Sequence, residues 1–258
     1  MSTSKVLTYK YEFCFSDGSG TKSFIVELDA ATLSLVIKED SDIFKRALVS
    51  SPSHHHDESR WTRLDFHRCG ICPLSISEAE KRFHGLCPAA LAVFEAVDFF
   101  KDKISYEDVT VKITSPLRGY FKKTKIQEGL SSLLGLLMAS SGCPVLEKLR
   151  PMLIVHLPFA RSYETVYRVA SMYLLAQYFI KKNSAGVPDW EMNNLVKIYE
   201  DVRKVNKSFA ERILSAVQKD AGSNALVILD CLAASTTILM TRSEMKELET
   251  FFEPYLKK

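Results

Sequence analysis

Apolar and polar residues alternate with a period of two through residues 7–15, a stretch rich in Tyr and Phe, and the pattern resumes at residues 23–28 with Phe-Ile-Val. Alternation of this kind predicts half-buried strands. Between them Asp17-Gly-Ser-Gly20 supplies residues that tolerate positive φ, so the two strands read as a hairpin. Residues 33–37 offer a third short strand. Residues 61–67 and 108–114 alternate again, the latter with Val109, Val111 and Ile113 on one face. A helix is expected over residues 88–101, packed across this antiparallel sheet of about four strands. The polar stretch 50–59, which includes His54, His55 and His56, reads as a solvated loop.

From about Thr124 the period lengthens to that of a helix. Thr124-x-x-Gln127 fits a capping box, and Ile126, Leu130, Leu133, Leu134, Leu137 and Met138 then recur at helical spacing up to a stop at Gly142. Further helices are expected at 144–150, 163–182, 189–219, 224–240 and 243–256. Within 189–219, Leu195, Ile198, Tyr199, Val202, Val205, Phe209, Ile213 and Val217 form one apolar stripe opposite a charged face. The Arg118-Gly-Tyr-Phe-Lys-Lys-Thr-Lys125 run reads as an exposed strand-to-helix connection. The expected fold class is α+β: a small N-terminal antiparallel β-sheet, a cysteine-rich junction and a C-terminal helical bundle. The division falls at 1–115 for the β-rich part and 116–258 for the bundle, packed together as one unit.

Composition narrows the class without naming an activity. The 258 residues are 47% hydrophobic and 25% charged, which is ordinary for a globular chain and excludes disordered and collagen-like classes. A net charge of +3 is too small to announce a nucleic-acid partner, even with the cations and aromatics of 118–125. The first ten residues lack the apolar core of a secretion signal. Apolar stretches 133–139 and 225–240, the latter broken by Asp230, Ser235, Thr236 and Thr237, fall short of the roughly 20 residues that span a bilayer. A cytoplasmic protein with no membrane partner is expected, and its six cysteines should then be reduced thiols.

Those cysteines carry the candidate chemistry. Cys69-Gly-Ile-Cys72 is a knuckle able to hold one ion, and His84-Gly-Leu-Cys87 follows after eleven intervening residues. Cys72, Cys87 and Cys143 each precede a proline. Proline favours the first position of a helix, which puts the preceding Cys at the N-cap, where free N–H groups and the helix dipole favour the thiolate. Two quartets result: Cys69, Cys72, Cys87 and Cys143, or the same knuckle and Cys87 with His84 as the fourth ligand. The first is preferred, because Ser141-Gly-Cys-Pro144 marks a sharp break between helices. Zinc is the expected metal, with an iron–sulfur cluster as the alternative and redox chemistry at Cys69-x-x-Cys72 as the enzymatic one.

Other residues read as structural. His156 lies in an apolar run and is expected to be a buried neutral histidine, with a ligand or base role near Cys143 as the alternative. Asp230 needs a partner, for which Arg161 or Arg168 is available. A helical partner surface, with a second copy or another protein, is a further alternative for the bundle. Dinucleotide, P-loop, nucleophile-elbow and zincin motifs are all missing from the sequence, so an enzyme reading rests on the cysteines alone. The motifs Cys69-x-x-Cys72-Pro-Leu, Cys87-Pro-Ala-Ala, Gln127-Glu-Gly-Leu-Ser-Ser-Leu-Leu-Gly-Leu, Ser141-Gly-Cys-Pro, His156-Leu-Pro-Phe and Pro188-Asp-Trp190 together resemble an uncharacterised bacterial family of unknown function. That resemblance covers nearly the whole chain. It implies a bacterial cytoplasmic protein and brings no established activity.

Overall fold

The structure is a computed structural model that describes residues 6–48, 60–241 and 249–256. Strands β1 (Val6–Phe15) and β2 (Thr21–Asp29) form the expected hairpin, and β3 (Asp108–Thr114) and β4 (Gly119–Lys125) form a second. All pairs are antiparallel, in the order β2-β1-β3-β4. Register places Tyr11 opposite both Phe24 and Ile113, and Phe13 opposite Val111, so Tyr9, Tyr11, Phe13, Phe24, Val26, Leu28, Val109, Val111 and Ile113 all face inward. A period of two allows only one face to be buried in this way.

Helices α1 (Asp42–Leu48), α2 (Ile76–Phe83) and α3 (Pro88–Phe100) lie between the two hairpins in sequence, and α4 (Ile126–Ser140) follows β4 directly. Against the inner face of the sheet lie α3, whose Phe100 packs edge-on to Phe13, and α4. Behind them come α5 (Ser162–Lys182), α6 (Asn193–Ala216) and α7 (Ala221–Thr241), followed by the short α8 (Glu253–Leu256). One hydrophobic core runs from β1 through α3 and α4 to α7. The expected division at 115/116 falls inside the β3–β4 turn.

The approach of α4 to the sheet depends on Gly129. A Cβ built there would meet Val111 Cγ2 at 2.7 Å and Phe13 Cε1 at 2.8 Å, both in the fully buried face of the sheet. Gly129→Ala is therefore expected to destabilise the protein by about 1–3 kcal/mol, despite alanine's better helix propensity. Chemical denaturation of the variant beside the parent measures this.

Several elements differ from expectation for identifiable reasons. Residues 61–67 are not a strand: Arg60–Thr62 is a 3₁₀ turn, and only Arg63 bridges to Leu86. Residues 33–37 contribute one bridge, between Leu35 and Leu28. The expected helix at 144–150 is a 3₁₀ run over Leu146–Val155, which contains Pro151. Proline lacks the N–H of an α-helical bond and its ring crowds the preceding turn. The expected helix at 189–219 starts at Asn193, because the Asp189 carboxylate accepts the N–H groups of Asn193 and Asn194 at 3.2 and 2.7 Å. Asp230 pairs with Arg203, Nε to Oδ1 3.6 Å, and not with Arg161 or Arg168. The helix expected at 243–256 begins outside the described residues, as does the histidine run 54–56.

Helix α7 also corrects the reading of apolar stretches. It runs unbroken for 21 residues because Thr236 and Thr237 turn their hydroxyls back to the carbonyls of Leu232 and Ala233. Among the described residues it is the one helix long and apolar enough to cross a membrane. It packs along α6 and α4, and only 22% of its most apolar 18-residue window is buried.

Candidate functional site

The four preferred cysteines come from three separate segments. Cys69 and Cys72 close a turn in which the Cys72 N–H donates to the Cys69 carbonyl at 2.9 Å. The Arg68 guanidinium secures it by donating to the carbonyls of Cys72 and Leu74. Cys87 is the N-cap of α3 with Pro88 at the first helical turn, as the Cys-Pro spacing predicts. Cys143 follows Gly142, whose φ of 84° carries the chain out of α4, and its N–H donates to Ser141 Oγ at 3.2 Å. Cys72 and Cys143 depart from the N-cap expectation: the 3₁₀ run after Cys143 starts at Leu146, with Val145 as its N-cap. The helix after Cys72 begins at Ile76, capped by Ser75 in a reciprocal box with Glu78.

These segments enclose a buried cavity of about 20 Å³ whose wall includes Cys69, Cys72, Cys87, Cys143, Phe209 and Arg212. Residues 74 positions apart in sequence thus meet around one space. All six cysteines of the chain are free thiols, and of the remaining two Cys231 is exposed. His84 is not in the wall. It is the left-handed C-cap of α2, edge-on to Phe44 at 5.4 Å and 3.7 Å from Glu39. Among the described residues no group of three or more His, Cys, Asp or Glu side chains is arranged so as to hold a metal ion.

Burial pushes the Cys69 and Cys87 thiols up, and the Cys143 thiol up to about 12. Neighbouring sulfurs add to the rise, while the Arg212 guanidinium opposes it at Cys69 and Cys87. The backbone N–H groups of Ala89 and Ala90 also favour the Cys87 thiolate, although neither closes a capping hydrogen bond. The expectation of lowered thiol pKa values at the N-caps is thereby corrected: loss of water outweighs the helix dipole.

Arg212 is the residue that the cysteine spacing does not reveal. It is only 1% exposed, the largest fully buried side chain among the described residues. Its guanidinium donates to the carbonyls of Trp61 (2.8 Å), Arg63 (2.6 Å) and Leu64 (3.1 Å). It thereby satisfies three carbonyls of residues 61–64, while the Leu64 N–H and the Thr62 carbonyl pair with Gly85 and Cys87. Its Nε has no partner. No carboxylate pairs with it among the described residues; Asp65, which its charge reaches, is held by Arg63. A sequence signal exists, since Arg212 stands three residues after Phe209 and one before Ile213, a charge set into the apolar stripe of α6.

A buried cation without a counter-charge is costly. Four cysteines beside it are a source of negative charge only as thiolates, and a bound cation is what deprotonates buried thiols. The enclosed space, of about 20 Å³, admits a body the size of a water molecule.

The other singled-out residues have structural roles. His156 is half-buried and held neutral, its pKa lowered to about 3 by desolvation, with Nε2 hydrogen-bonded to the Tyr11 hydroxyl. His67 is exposed beside Glu211. In the 118–125 run, Lys122 and Lys125 pair with Glu128 and Asp108, and Tyr120 donates to the His156 carbonyl.

Fold and site together define an α+β protein with a cysteine-lined cavity where the knuckle loop, α3, the segment after α4, and α6 meet. The chain belongs to the family described as Domain of unknown function (DUF6901), whose model matches residues 7–253. No curated protein and no solved structure matches the chain.

Proposed function

We propose that the protein binds one zinc ion through Cys69, Cys72, Cys87 and Cys143, and that the ion serves as a structural staple. The observation that carries this reading is the convergence of four cysteines on one small cavity beside a buried arginine without a carboxylate. Four thiolates around a divalent ion leave a net charge of −2, which Arg212 offsets in part.

Zinc is preferred because it takes four thiolates in closed structural sites and because the space suits one ion. Catalytic dithiol chemistry is disfavoured, since a reactive cysteine needs a lowered pKa and access, whereas burial raises those of Cys69, Cys87 and Cys143. A closed shell couples ion binding to folding, so its free energy becomes stability of the contact between the knuckle, α3 and the bundle. Chelation of the zinc-loaded protein is expected to lower its Tm by about 10 °C or more. Differential scanning calorimetry with and without a chelator reads this, and an unchanged Tm would refute a structural ion.

A further inference from the structure

A second cavity, of about 550 Å³, lies between α4, the 3₁₀ run and helices α5 to α7. Its wall is largely aliphatic, with Leu136, Met138, Leu149, Leu153, Leu229 and Leu232 among its residues. Part of the apolar surface of α7 is thus spent on this wall and not on a packed core.

The polar groups in the wall are unevenly satisfied. Lys122 and Glu128 neutralise each other at 2.6 Å. His156 is engaged by Tyr11 and uncharged. Arg168 donates one N–H to the Met152 carbonyl at 3.0 Å, but its Nε is buried without a partner and no carboxylate pairs with it among the described residues. Asn206, 3% exposed on α6, likewise has an unpartnered Nδ2. Both orphaned atoms are donors, although Asn206 also borders a neighbouring cavity, and the one charge in this wall without an ion pair is positive: Glu164 acts on Arg168 only through space, its carboxylate accepting the Arg161 N–H. Orphaned buried donors call for acceptors, so the occupant that satisfies the wall carries oxygen acceptors and a single negative charge on an apolar body.

We infer that this cavity is a binding site for an apolar monocarboxylate of the fatty-acid type, its carboxylate on Arg168 and its chain against the leucine-lined wall. Cavities of a few hundred Å³ with apolar walls and few polar groups are the usual form of small-molecule sites. A phosphate head, with two charges, has only one cation to meet. The inference does not rest on the metal reading.

The test uses three probes of one chain length, each below its micelle concentration: decanoate, 1-decanol and decylammonium, titrated calorimetrically into the purified full chain. Decanoate is expected to bind at least about tenfold more tightly than decanol, the increment of a charged hydrogen bond, and decylammonium most weakly. Arg168→Met should abolish the preference for decanoate over decanol while leaving decanol binding in place. Failure of the parent chain to bind decanoate, equal binding of decanoate and decanol, or equal binding of decylammonium would each overturn the inference. So would a folded Arg168→Met variant that keeps the preference. The three-probe series on the parent chain decides the matter even if that variant does not fold.

Discussion

Arg212→Met lowers the unfolding free energy by about 3–5 kcal/mol, the loss from three buried carbonyls left unpaired less what is regained by removing a buried charge without a counter-ion. The side chain is close in length and apolar, so the loss does not come from a cavity. It comes from the carbonyls of Trp61, Arg63 and Leu64, which share the guanidinium. Each buried acceptor left unpaired costs about 1–3 kcal/mol. Lysine does not rescue the site, because a point charge lacks the planar fork that reaches three carbonyls. Denaturant titration of the parent and of both variants gives the answer; a change within about 0.5 kcal/mol would mean that these bonds contribute nothing beyond an ordinary surface site.

Cys143→Ser weakens zinc binding by more than about 100-fold, while His84→Ala leaves it unchanged. Loss of a direct ligand should exceed the 10- to 100-fold typical of residues that only support ligands. Serine keeps the size of the side chain, so the segment after α4 retains its turn at Gly142. His84 caps α2 and leans on Phe44, outside the cavity wall. A competitive chelator titration measures both variants. The opposite order would move the fourth ligand to His84 and detach the segment after α4 from the site.

Much of this was legible because the relevant signals are local. Strands β1 to β3 announce themselves by alternation, α6 by its stripe, and the cysteines by knuckle spacing and by proline. Strand β4 was obscured because it carries Lys122, Lys123 and Lys125 and lies at the edge of the sheet, where no fully apolar face is required. The stretch 61–67 misled for the opposite reason: Trp61 and Leu64 are buried three residues apart, among the helices, and the backbone between them is committed to Arg212. The box signature is realised at helix α2, in Ser75-x-x-Glu78, and not at Thr124-x-x-Gln127: α4 starts from Lys125 without a side-chain cap, and the Thr124 hydroxyl donates to Glu128. For the site, sequence supplies the donors but not the charge that faces them. Arg212 looks like one more cation on a charged helix until its neighbours at three and seven residues, Phe209 and Val205, put it on the buried side.

The central claim is that four thiolates hold one ion at this junction. X-ray absorption at the zinc edge, on protein purified without added chelator, tests it most directly. The account predicts about one zinc per chain with four sulfur neighbours at about 2.3 Å. A first shell containing nitrogen or oxygen, or protein without stoichiometric zinc, would contradict it.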